Sequence, residues 1–315
     1  MMKPQSFNNK FALALDIGGT FIKTAIISSD GRILKDTFKK KKVGSQEEQK
    51  AIINNFAQVI SDGFQKASTK RLDIIGIGIG IPGPFDFKNG ISLMKHKLSG
   101  IYGVNLKKEI IKMVGLNERY IIRFAHDAEV FLIGECWKGA SKNFNRVLGI
   151  TLGTGIGVSF MKDGQIIHKD DSGAPLLTLW NVPYGDGIVE DRVSQRGIVS
   201  RYNELSGENT TVKITAKEIA ERAIKGKDIF AIQVFKELGS ILGKVLKPFL
   251  SELKVECIVF GGQISKSFLL FENTLKQELE SIPHLKKISR ASSIDFSPLY
   301  GAAKLIFSEI NKYKR

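Results

Sequence analysis

The sequence predicts an α/β protein built from two lobes. At 315 residues the chain is longer than a single hydrophobic core usually organises, so two lobes or domains are expected. Short apolar runs typical of strands alternate along it with stretches of helical spacing. Two strand–turn–strand units, one near the start and one near the middle, each place glycine and threonine in the turn. This similarity suggests an internal duplication, with one copy in each lobe.

The first lobe is predicted to begin with strand, turn and strand between residues 11 and 38, with a further turn at 29–32. A helix follows over 46–67, where apolar residues recur at helical spacing. Residues 74–81 alternate isoleucine and glycine before a Pro-Gly-Pro sequence at 82–84. This pattern favours a buried strand whose glycines let another backbone come close.

Further strands and helices follow without a long low-complexity linker. The predicted helices cover 106–114, 129–138, 216–225, 229–250 and 297–307, and the predicted strands cover 120–124, 255–260 and, as the second strand–turn–strand, 147–160. The lobes should therefore be joined by crossing segments near residues 125 and 300. We expect domains at 1–124 with 300–315, and at 125–299, with the last helix packing on the first lobe.

Composition narrows the class of protein. The chain is 43% hydrophobic and 25% charged, as globular proteins are, and no apolar run approaches the roughly 20 residues that cross a bilayer. The first ten residues lack the apolar core of a signal peptide. Only Cys136 and Cys257 are present, far apart in sequence, which argues against a disulfide scaffold and a structural zinc site. We expect a cytoplasmic protein without a membrane partner.

The net charge of +15 favours anionic partners such as nucleotides, polyphosphate, nucleic acid or a membrane surface. Its densest run is four consecutive lysines at 39–42, with no interleaved aromatic residue. Because this run falls between two predicted elements, we interpret it as a solvated strand end or loop. It does not predict nucleic-acid binding.

Three glycine-rich turns carry the candidate chemistry. The segments 16–20 (Asp-Ile-Gly-Gly-Thr) and 151–155 (Thr-Leu-Gly-Thr-Gly) can each present backbone N–H groups to phosphate oxygens. Gly261 and Gly262 end a strand before a helix, where a nucleotide could lie against bare backbone. The alternative for the first segment is an ordinary β-hairpin with a Gly-Gly turn.

Together these turns, with Asp127 at a strand end between the first two, resemble the sugar-kinase, Hsp70 and actin superfamily of phosphotransferases. Four segments sharpen the resemblance to the ROK family of bacterial sugar kinases and sugar-responsive repressors. They are 79–84 (IGIPGP), 126–129 (HDAE), 152–157 (LGTGIG) and 259–265 (VFGGQIS). The resemblance covers nearly the whole chain. It implies a two-lobed, actin-like ATPase fold of the ribonuclease H-like class, with a central cleft that holds the active site.

The resemblance also implies roles for individual residues. Asp127 matches the family's catalytic base, which accepts the proton of a sugar hydroxyl, and Asp16 matches the residue that orients Mg²⁺ and phosphate. The alternative for Asp127 is an N-cap of the helix predicted from Glu129. The expected donor-binding residues are Asp16, Gly18, Gly19, Thr20, Lys23, Thr151, Gly153, Thr154, Gly155, Gly261 and Gly262, and the expected sugar-binding residues are Gly83, Pro84, Lys97, His126, Asp127 and Glu190.

The chain departs from the family on the sugar side. His126 replaces the usual asparagine before the catalytic aspartate, and Lys97 lies near the position of another sugar-binding asparagine. Residues 172–184 lack the family's Gly-Glu-x-Gly-His motif and its zinc-binding cysteines. A zinc-free subgroup exists and includes polyphosphate-dependent glucokinases. His168 and Trp180 are candidate substitutes in the pocket, although each is more often structural.

Glu190 matches the acidic sugar-binding residue that follows the zinc loop in the family. The alternative is an exposed carboxylate at the start of a helix, stabilised by the helix dipole.

Three functions remain open at this point. The first is a hexose kinase of glucokinase type, using ATP and Mg²⁺ and acting at the 6-position. The second uses inorganic polyphosphate as donor, as the positive charge and the missing zinc loop suggest. The third is a sugar-binding protein that has lost turnover. The expected partners are a hexose and a phosphate donor, with a homodimer possible in this family. No structural zinc is expected.

Overall fold

The structure is a computed structural model that describes residues 10–117, 119–170, 173–207 and 214–312, with side chains described up to residue 310. The segment 1–9, on which the prediction about a signal peptide mainly rests, lies outside the described residues. Residue 172, the first of the segment that departs from the family, lies outside them too.

Strands and helices alternate along the chain. The strands are β1 (Phe11–Ile17), β2 (Phe21–Ser28), β3 (Lys39–Lys42), β4 (Ile74–Ile81), β5 (Phe85–Asp86), β6 (Ile91–Ser92), β7 (Ile121–His126), β8 (Arg146–Leu152), β9 (Ile156–Lys162), β10 (Gln165–Ile166), β11 (Pro183–Tyr184), β12 (Gly187–Ile188), β13 (Cys257–Gly261) and β14 (Lys287–Arg290). The helices are α1 (Gln49–Thr69), α2 (Leu106–Val114), α3 (Asp127–Lys138), α4 (Val189–Val193), α5 (Gln195–Ser206), α6 (Ala216–Ile224), α7 (Ile229–Glu252), α8 (Phe268–Leu279) and α9 (Ser297–Lys312).

The chain divides into two compact units. The first comprises Met1–Lys138 with Asp295–Arg315, and the second comprises Gly139–Ile294. These boundaries differ from the predicted ones, which fell at 124/125 and 299/300. Helix α3 stays with the first unit because it packs along α9. None of the helices among the described residues combines the length and the apolar character that a membrane span requires.

Each unit contains a five-stranded sheet, and the two sheets share one strand order. The first sheet runs β3-β2-β1-β4-β7 and the second runs β10-β9-β8-β13-β14. In both, an antiparallel strand–turn–strand is followed by two parallel strands on the other side of its first strand. The recurrence agrees with the internal duplication expected from the two similar turns.

Some predicted boundaries shift in ways that matter for the site. The strand predicted to end at Phe124 continues to His126, and the helix predicted from Glu129 already begins at Asp127. Asp127 is therefore the first residue of helix α3 rather than a residue before it. The four lysines at 39–42 form β3, the exposed edge strand of the first sheet, in register with β2.

Glycines of β4 let helix α9 approach the first sheet closely, as the alternating Ile-Gly pattern predicted. A β-carbon on Gly78 would overlap the backbone of Ala302 in α9. Gly301 meets the backbone of Val130 in the same way, which brings α9 against α3. Helices α3 and α9 thus cover one face of the sheet, while α1 and α2 contribute to a separate core on the other face.

Candidate active site

The strand register of the first sheet brings the predicted site residues Asp16 and His126 to the same end of the sheet. Asp16, near the end of β1, pairs with Gly80 of β4, and Gly80 pairs with Ala125 of β7. The next residue of β4, Ile81, pairs with His126. The carboxyl ends of these parallel strands therefore lie side by side, the usual place for ligand sites in α/β sheets. Asp16 and Asp127 are close enough that the charge of Asp127 acts on the pKa of Asp16.

Lys23 links Asp16 to a second carboxylate. Its Nζ lies 3.3 Å from Asp16 Oδ2 and 3.2 Å from Asp295 Oδ1. Asp16 and Lys23 are largely buried, at 14% and 13% side-chain exposure, whereas Asp295 is 49% exposed. Burial raises the pKa of Asp16, with Lys23 opposing the shift and Asp127 adding to it. Burial lowers the pKa of Lys23, but the two carboxylates outweigh it and the pKa is raised.

The Gly18-Gly19-Thr20 turn connects β1 and β2 as a hairpin, so this part of the alternative interpretation is correct. The Gly18 N–H donates to the carbonyl of Phe21 at 2.9 Å, which closes the turn. Gly19 and Thr20 are exposed, and a β-carbon on Gly19 would meet no atom within 4 Å. The turn therefore leaves open backbone beside Asp16, which is the geometry that a phosphate group can use.

Asp127 has one engaged oxygen and one open oxygen. The Ala128 N–H donates to Asp127 Oδ1 at 2.7 Å, and His126 Nδ1 lies 2.9 Å from the same atom. Within the part of the chain that the structure describes, no group binds Oδ2, and the side chain is 38% exposed. The carboxylate is thus held from one side and accessible from the other. The contact to Ala128 is not an N-cap bond, because an N-cap side chain accepts from an N–H two or three residues further on and Asp127 is itself the first helical residue.

The charges around Asp127 act on its pKa. Burial alone would raise the pKa, but the charge and hydrogen bond of His126, followed by the charge of Lys97, hold it below the ordinary aspartate value. For His126, burial lowers the pKa, but Asp127 and then Glu129 raise it and together outweigh burial, so that the pKa lies above the ordinary histidine value. Asp127 is therefore deprotonated at neutral pH, and His126 keeps its proton to a higher pH than an ordinary histidine does.

The predicted sugar-side residues of the first unit lie around His126. A β-carbon on Gly83 would sit 3.4 Å from His126 Cδ2 and 3.6 Å from Nε2. The bond between Gly83 and Pro84 is cis. The ring of Phe87 stands edge-on to the imidazole, with 6.1 Å between centroids. Lys97 is exposed, and its charge acts on the pKa values of both His126 and Asp127.

In the second unit, the Thr151–Gly155 turn is tied to helices α4 and α5. The Gln195 N–H donates to the Gly153 carbonyl at 2.9 Å. Glu190 Oε2 accepts a hydrogen bond from the Ile156 N–H at 3.1 Å and lies against Gly155. Glu190 does occupy the first turn of α4, as the helix-dipole alternative assumes, but its carboxylate reaches the glycine turn. Thr154 is exposed at the tip of that turn.

Gly261 and Gly262 lie next to the same turn. Gly261 pairs with Thr151 across β13 and β8. Gly262 has φ +80°, and a β-carbon there would overlap the backbone of Leu152, so only glycine fits. Ser265 Oγ donates to the Gly262 carbonyl at 2.7 Å, which fixes the start of the following helical segment. The second unit therefore gathers the second and third glycine turns and Glu190.

The structure places both candidate substitutes, His168 and Trp180, in the second unit. His168 lies in an isolated bridge to Pro175. Trp180 is 49% exposed, and its backbone carbonyl accepts from the Glu190 N–H at 3.3 Å. The contact of Asp295 with Lys23 and the contact of Phe87 with His126 were not predicted. In each pair the two residues are distant in sequence. The one available signal was the position of Asp295, an acidic residue just before a predicted helix.

The donor set suits magnesium bound together with a phosphate ligand better than a resident metal. Among residues 10–117, 119–170, 173–207 and 214–310, no group of three or more histidine, cysteine, aspartate or glutamate side chains could hold a metal ion. Lys23 occupies Oδ2 of Asp16 and leaves Oδ1 without a partner among those residues. One carboxylate oxygen beside a phosphate turn fits Mg²⁺, which proteins often bind through one or two carboxylates and substrate phosphates.

Comparison with known proteins identifies the family of this chain. The chain belongs to the ROK family, whose profile matches residues 12–173 and 185–309. It is 25% identical to a glucokinase of Thermotoga maritima, covering 95% of this chain and 98% of that protein. It is 24% identical to an N-acetyl-D-glucosamine kinase of Haemophilus influenzae, covering 94% of this chain and 99% of that protein.

Solved structures share the fold. A crystal structure of a ROK family glucokinase from Streptomyces griseus, in complex with glucose and AMPPNP, aligns with a TM-score of 0.76 at 22% identity. The alignment covers 94% of this chain and 98% of that chain. The predicted fold class, the two-lobed actin-like ATPase fold, is confirmed.

Proposed function

We propose that this protein is a sugar kinase that transfers the terminal phosphate of ATP to a hexose hydroxyl, most simply the 6-hydroxyl. The observation that carries the proposal is the half-engaged Asp127 beside Asp16 and an open glycine turn. The kinase names of the glucokinase and N-acetyl-D-glucosamine kinase relatives support the same activity. Phosphoryl transfer needs positioning and charge neutralisation rather than a covalent intermediate, and these groups supply both.

Asp127 would act as the general base. Its Oδ2 accepts the proton of the sugar hydroxyl, while His126 and the Ala128 N–H keep Oδ1 occupied and fix the carboxylate. The sugar oxygen then bonds to the terminal phosphorus as the bond from phosphorus to the bridging oxygen breaks, and ADP carries that electron pair away. The depressed pKa keeps Asp127 ionised at neutral pH, ready to accept the proton.

The first glycine turn and Asp16 would serve the phosphates. The backbone N–H groups of Gly19 and Thr20 would donate to phosphate oxygens, since the Gly18 N–H is already bonded to the Phe21 carbonyl. Lys23 would place a positive charge beside them. Asp16 would hold Mg²⁺ through Oδ1. When bound, this ion neutralises charge on the donor phosphates.

In the second unit, we assign the Thr151–Gly155 turn and the Gly261-Gly262 strand end to the donor nucleotide. Gly153 leaves open space where a β-carbon would stand, which allows the close approach that a phosphate requires, whereas Gly155 and Gly262 are packed against Glu190 and Leu152. Glu190, held against the turn by the Ile156 N–H, is assigned to sugar binding. Its second oxygen, Oε1, would accept a hydrogen bond from a sugar hydroxyl.

A donor-by-acceptor screen tests the proposal. ATP would be offered with glucose, mannose, N-acetylglucosamine, N-acetylmannosamine, fructose and allose, and ADP formation and sugar phosphate would both be measured. We expect phosphorylation of at least one sugar by the wild type and at background level by D127N. Sugar-dependent thermal stabilisation without transfer to any of them would instead support a binding protein that has lost turnover.

A specific observation favours inorganic polyphosphate as a second donor. Residues directly opposite on paired strands share a face of the sheet. Asp16 lies opposite Lys23, and Lys23 lies opposite Lys40. Lys42 shares the face of Lys40, and the neighbouring Val43 N–H donates to the Thr20 carbonyl of the glycine turn at 3.0 Å. A row of positive charges thus leads away from the proposed phosphate site.

The lysine row can be tested with paired variants. K40M/K42M removes the lysines on the Asp16 face, and K39M/K41M removes those on the other face as the matched control. If polyphosphate is a donor, K40M/K42M should raise the KM for polyphosphate by a factor at least ten times larger than the factor for ATP. K39M/K41M should not show this difference. Activity with ATP alone would remove this second candidate.

A further inference from the structure

The exposed segment Lys95–Lys97, here called the basic loop, is fixed at both ends. Met94 and Leu98 flank it, and both side chains are buried, at 1% and 0% exposure. Leu98 adopts φ +51°, which turns the chain into the short helical segment Ser99–Ile101. The three residues between the two anchors are a lysine, a histidine and a lysine, and all are exposed. The loop therefore presents positive charge from a defined position.

That position is the acceptor side of the proposed base. The Leu93 N–H donates to the Pro84 carbonyl at 3.1 Å, so the chain enters the loop from a residue next to Gly83. Gly83 in turn faces the imidazole edge of His126. Lys97 acts electrostatically on both His126 and Asp127, which places its charge near the pair.

Lys97 has no close carboxylate partner among the nearby acidic residues that the structure describes. Asp127 Oδ1 contacts His126 Nδ1 at 2.9 Å. Glu129, whose charge also acts on the pKa of His126, is buried at 8% exposure. Lys95 lies over the ring of Tyr102, with Nζ 5.3 Å from the centroid. Lys97 makes no salt bridge within 4.0 Å to a carboxylate of the described residues. A neutral sugar would leave this cation without a matching charge.

We propose that the acceptor sugar carries an anionic substituent, a carboxylate or a phosphate ester, and that Lys97 binds it. The substituent lies away from the hydroxyl that receives the phosphate, because Asp127 must reach that hydroxyl through Oδ2. This inference rests on the proposed kinase function and specifies its substrate class. Lys97 is then a specificity-determining residue, favouring an anionic acceptor over its neutral counterpart by a charge-assisted contact.

Matched acceptor pairs test the inference, each keeping a free 6-hydroxyl. N-acetylmuramate is compared with N-acetylglucosamine, and glucose 1-phosphate with methyl glucoside, with ATP as donor. We expect kcat/KM to be at least tenfold higher for the anionic member of one pair, the size of a charge-assisted contact. K97M should reduce that preference at least tenfold, whereas K112M, an exposed lysine of α2, should leave it unchanged. Added salt should raise KM for the anionic acceptor only.

Other outcomes overturn the inference. An equal or higher kcat/KM for the neutral members would contradict the inference. An equal loss of kcat/KM for both members in K97M would also contradict it, because Lys97 would then serve the transferring phosphate. Thermal shifts with each acceptor and no donor give a readout that does not require turnover. If no acceptor is phosphorylated, the kinase proposal fails. The anion site would still be supported if the anionic members raised the melting temperature more than the neutral members and K97M abolished that difference.

Discussion

Asp127 keeps one oxygen available because two neighbours bind the other. The Ala128 N–H and His126 Nδ1 both contact Oδ1, so the orientation of the carboxylate depends on residues next to it in sequence. Sequence reasoning could find these residues because they are contiguous. It could not find their ion pair or the direction of the pKa shifts, since these depend on burial and on Lys97.

The ion pair predicts a pH-dependent contribution to stability. The pKa of His126 in the folded protein lies above its ordinary value of about 6.5, so folding favours the protonated form. Its stabilising contribution is complete below that ordinary value and is lost as pH rises through the folded-state pKa. The free energy of unfolding of the wild type, relative to H126N, should therefore fall as pH rises from about 6.5 through the folded-state pKa of His126. Urea unfolding across this range measures it, and a flat difference would contradict the ion pair.

Lys23 predicts unequal effects for its two carboxylate partners. Asp16 is buried and faces the glycine turn, whereas Asp295 is half exposed, and exposed ion pairs contribute only about 0–1 kcal/mol. D16N should raise the Mg²⁺ concentration needed for half-maximal activity at least tenfold, and D295N less than threefold. A larger effect for D295N than for D16N would show that Asp295, and not Asp16, holds the metal. Titration of activity with Mg²⁺ at saturating ATP decides between them.

Among the elements, the strand–turn–strand units and the Ile-Gly strand were predictable because their patterns are local. The start of α3 was not. The sequence placed Asp127 two residues before the helix, whereas the structure makes it the first helical residue, its carboxylate bound to the next N–H. The sequence also did not decide whether residues 39–42 form a strand, because four consecutive lysines lack the alternation that indicates one. These lysines form strand β3 because they pair with β2.

Two glycines of the first unit predict opposite outcomes when changed to alanine. A β-carbon on Gly78 overlaps the backbone of Ala302, so G78A must displace α9 and should destabilise the protein by about 1–3 kcal/mol or more. A β-carbon on Gly19 meets no atom within 4 Å, so G19A should fold normally but raise KM for ATP by obstructing the phosphate turn. Thermal melts and steady-state kinetics of both variants check this. Normal stability of G78A would contradict the close packing of α9.

At the scale of the whole molecule, the units differ in how the chain builds them. Unit two is continuous and has its own core, which includes Phe235, Phe260 and Phe271. Unit one needs α9, which returns from the far end of the chain and fills one face of its sheet. Sequence reasoning anticipated this return of the last helix. It did not anticipate that α3 remains with the first unit, since that depends on glycine-mediated packing between α3 and α9.

The difference predicts how fragments behave. A fragment of residues 139–294 should fold alone and unfold cooperatively in urea, whereas residues 1–138 without α9 should not. Joining 295–315 to the first fragment by a flexible linker should restore its cooperative unfolding. Circular dichroism during urea titration is the measurement. Cooperative folding of 1–138 by itself would contradict the role given to α9.

The central claim is that Asp127 acts as the base for transfer of a phosphate to a sugar hydroxyl. Its most direct test is the single-turnover rate of sugar phosphorylation from Mg-ATP by the wild type and D127N, using an acceptor that the wild type phosphorylates. General-base catalysis predicts a loss of about 10²–10⁴-fold in D127N, with melting temperature and ATP affinity unchanged. A D127N rate within threefold of the wild-type rate would contradict the claim.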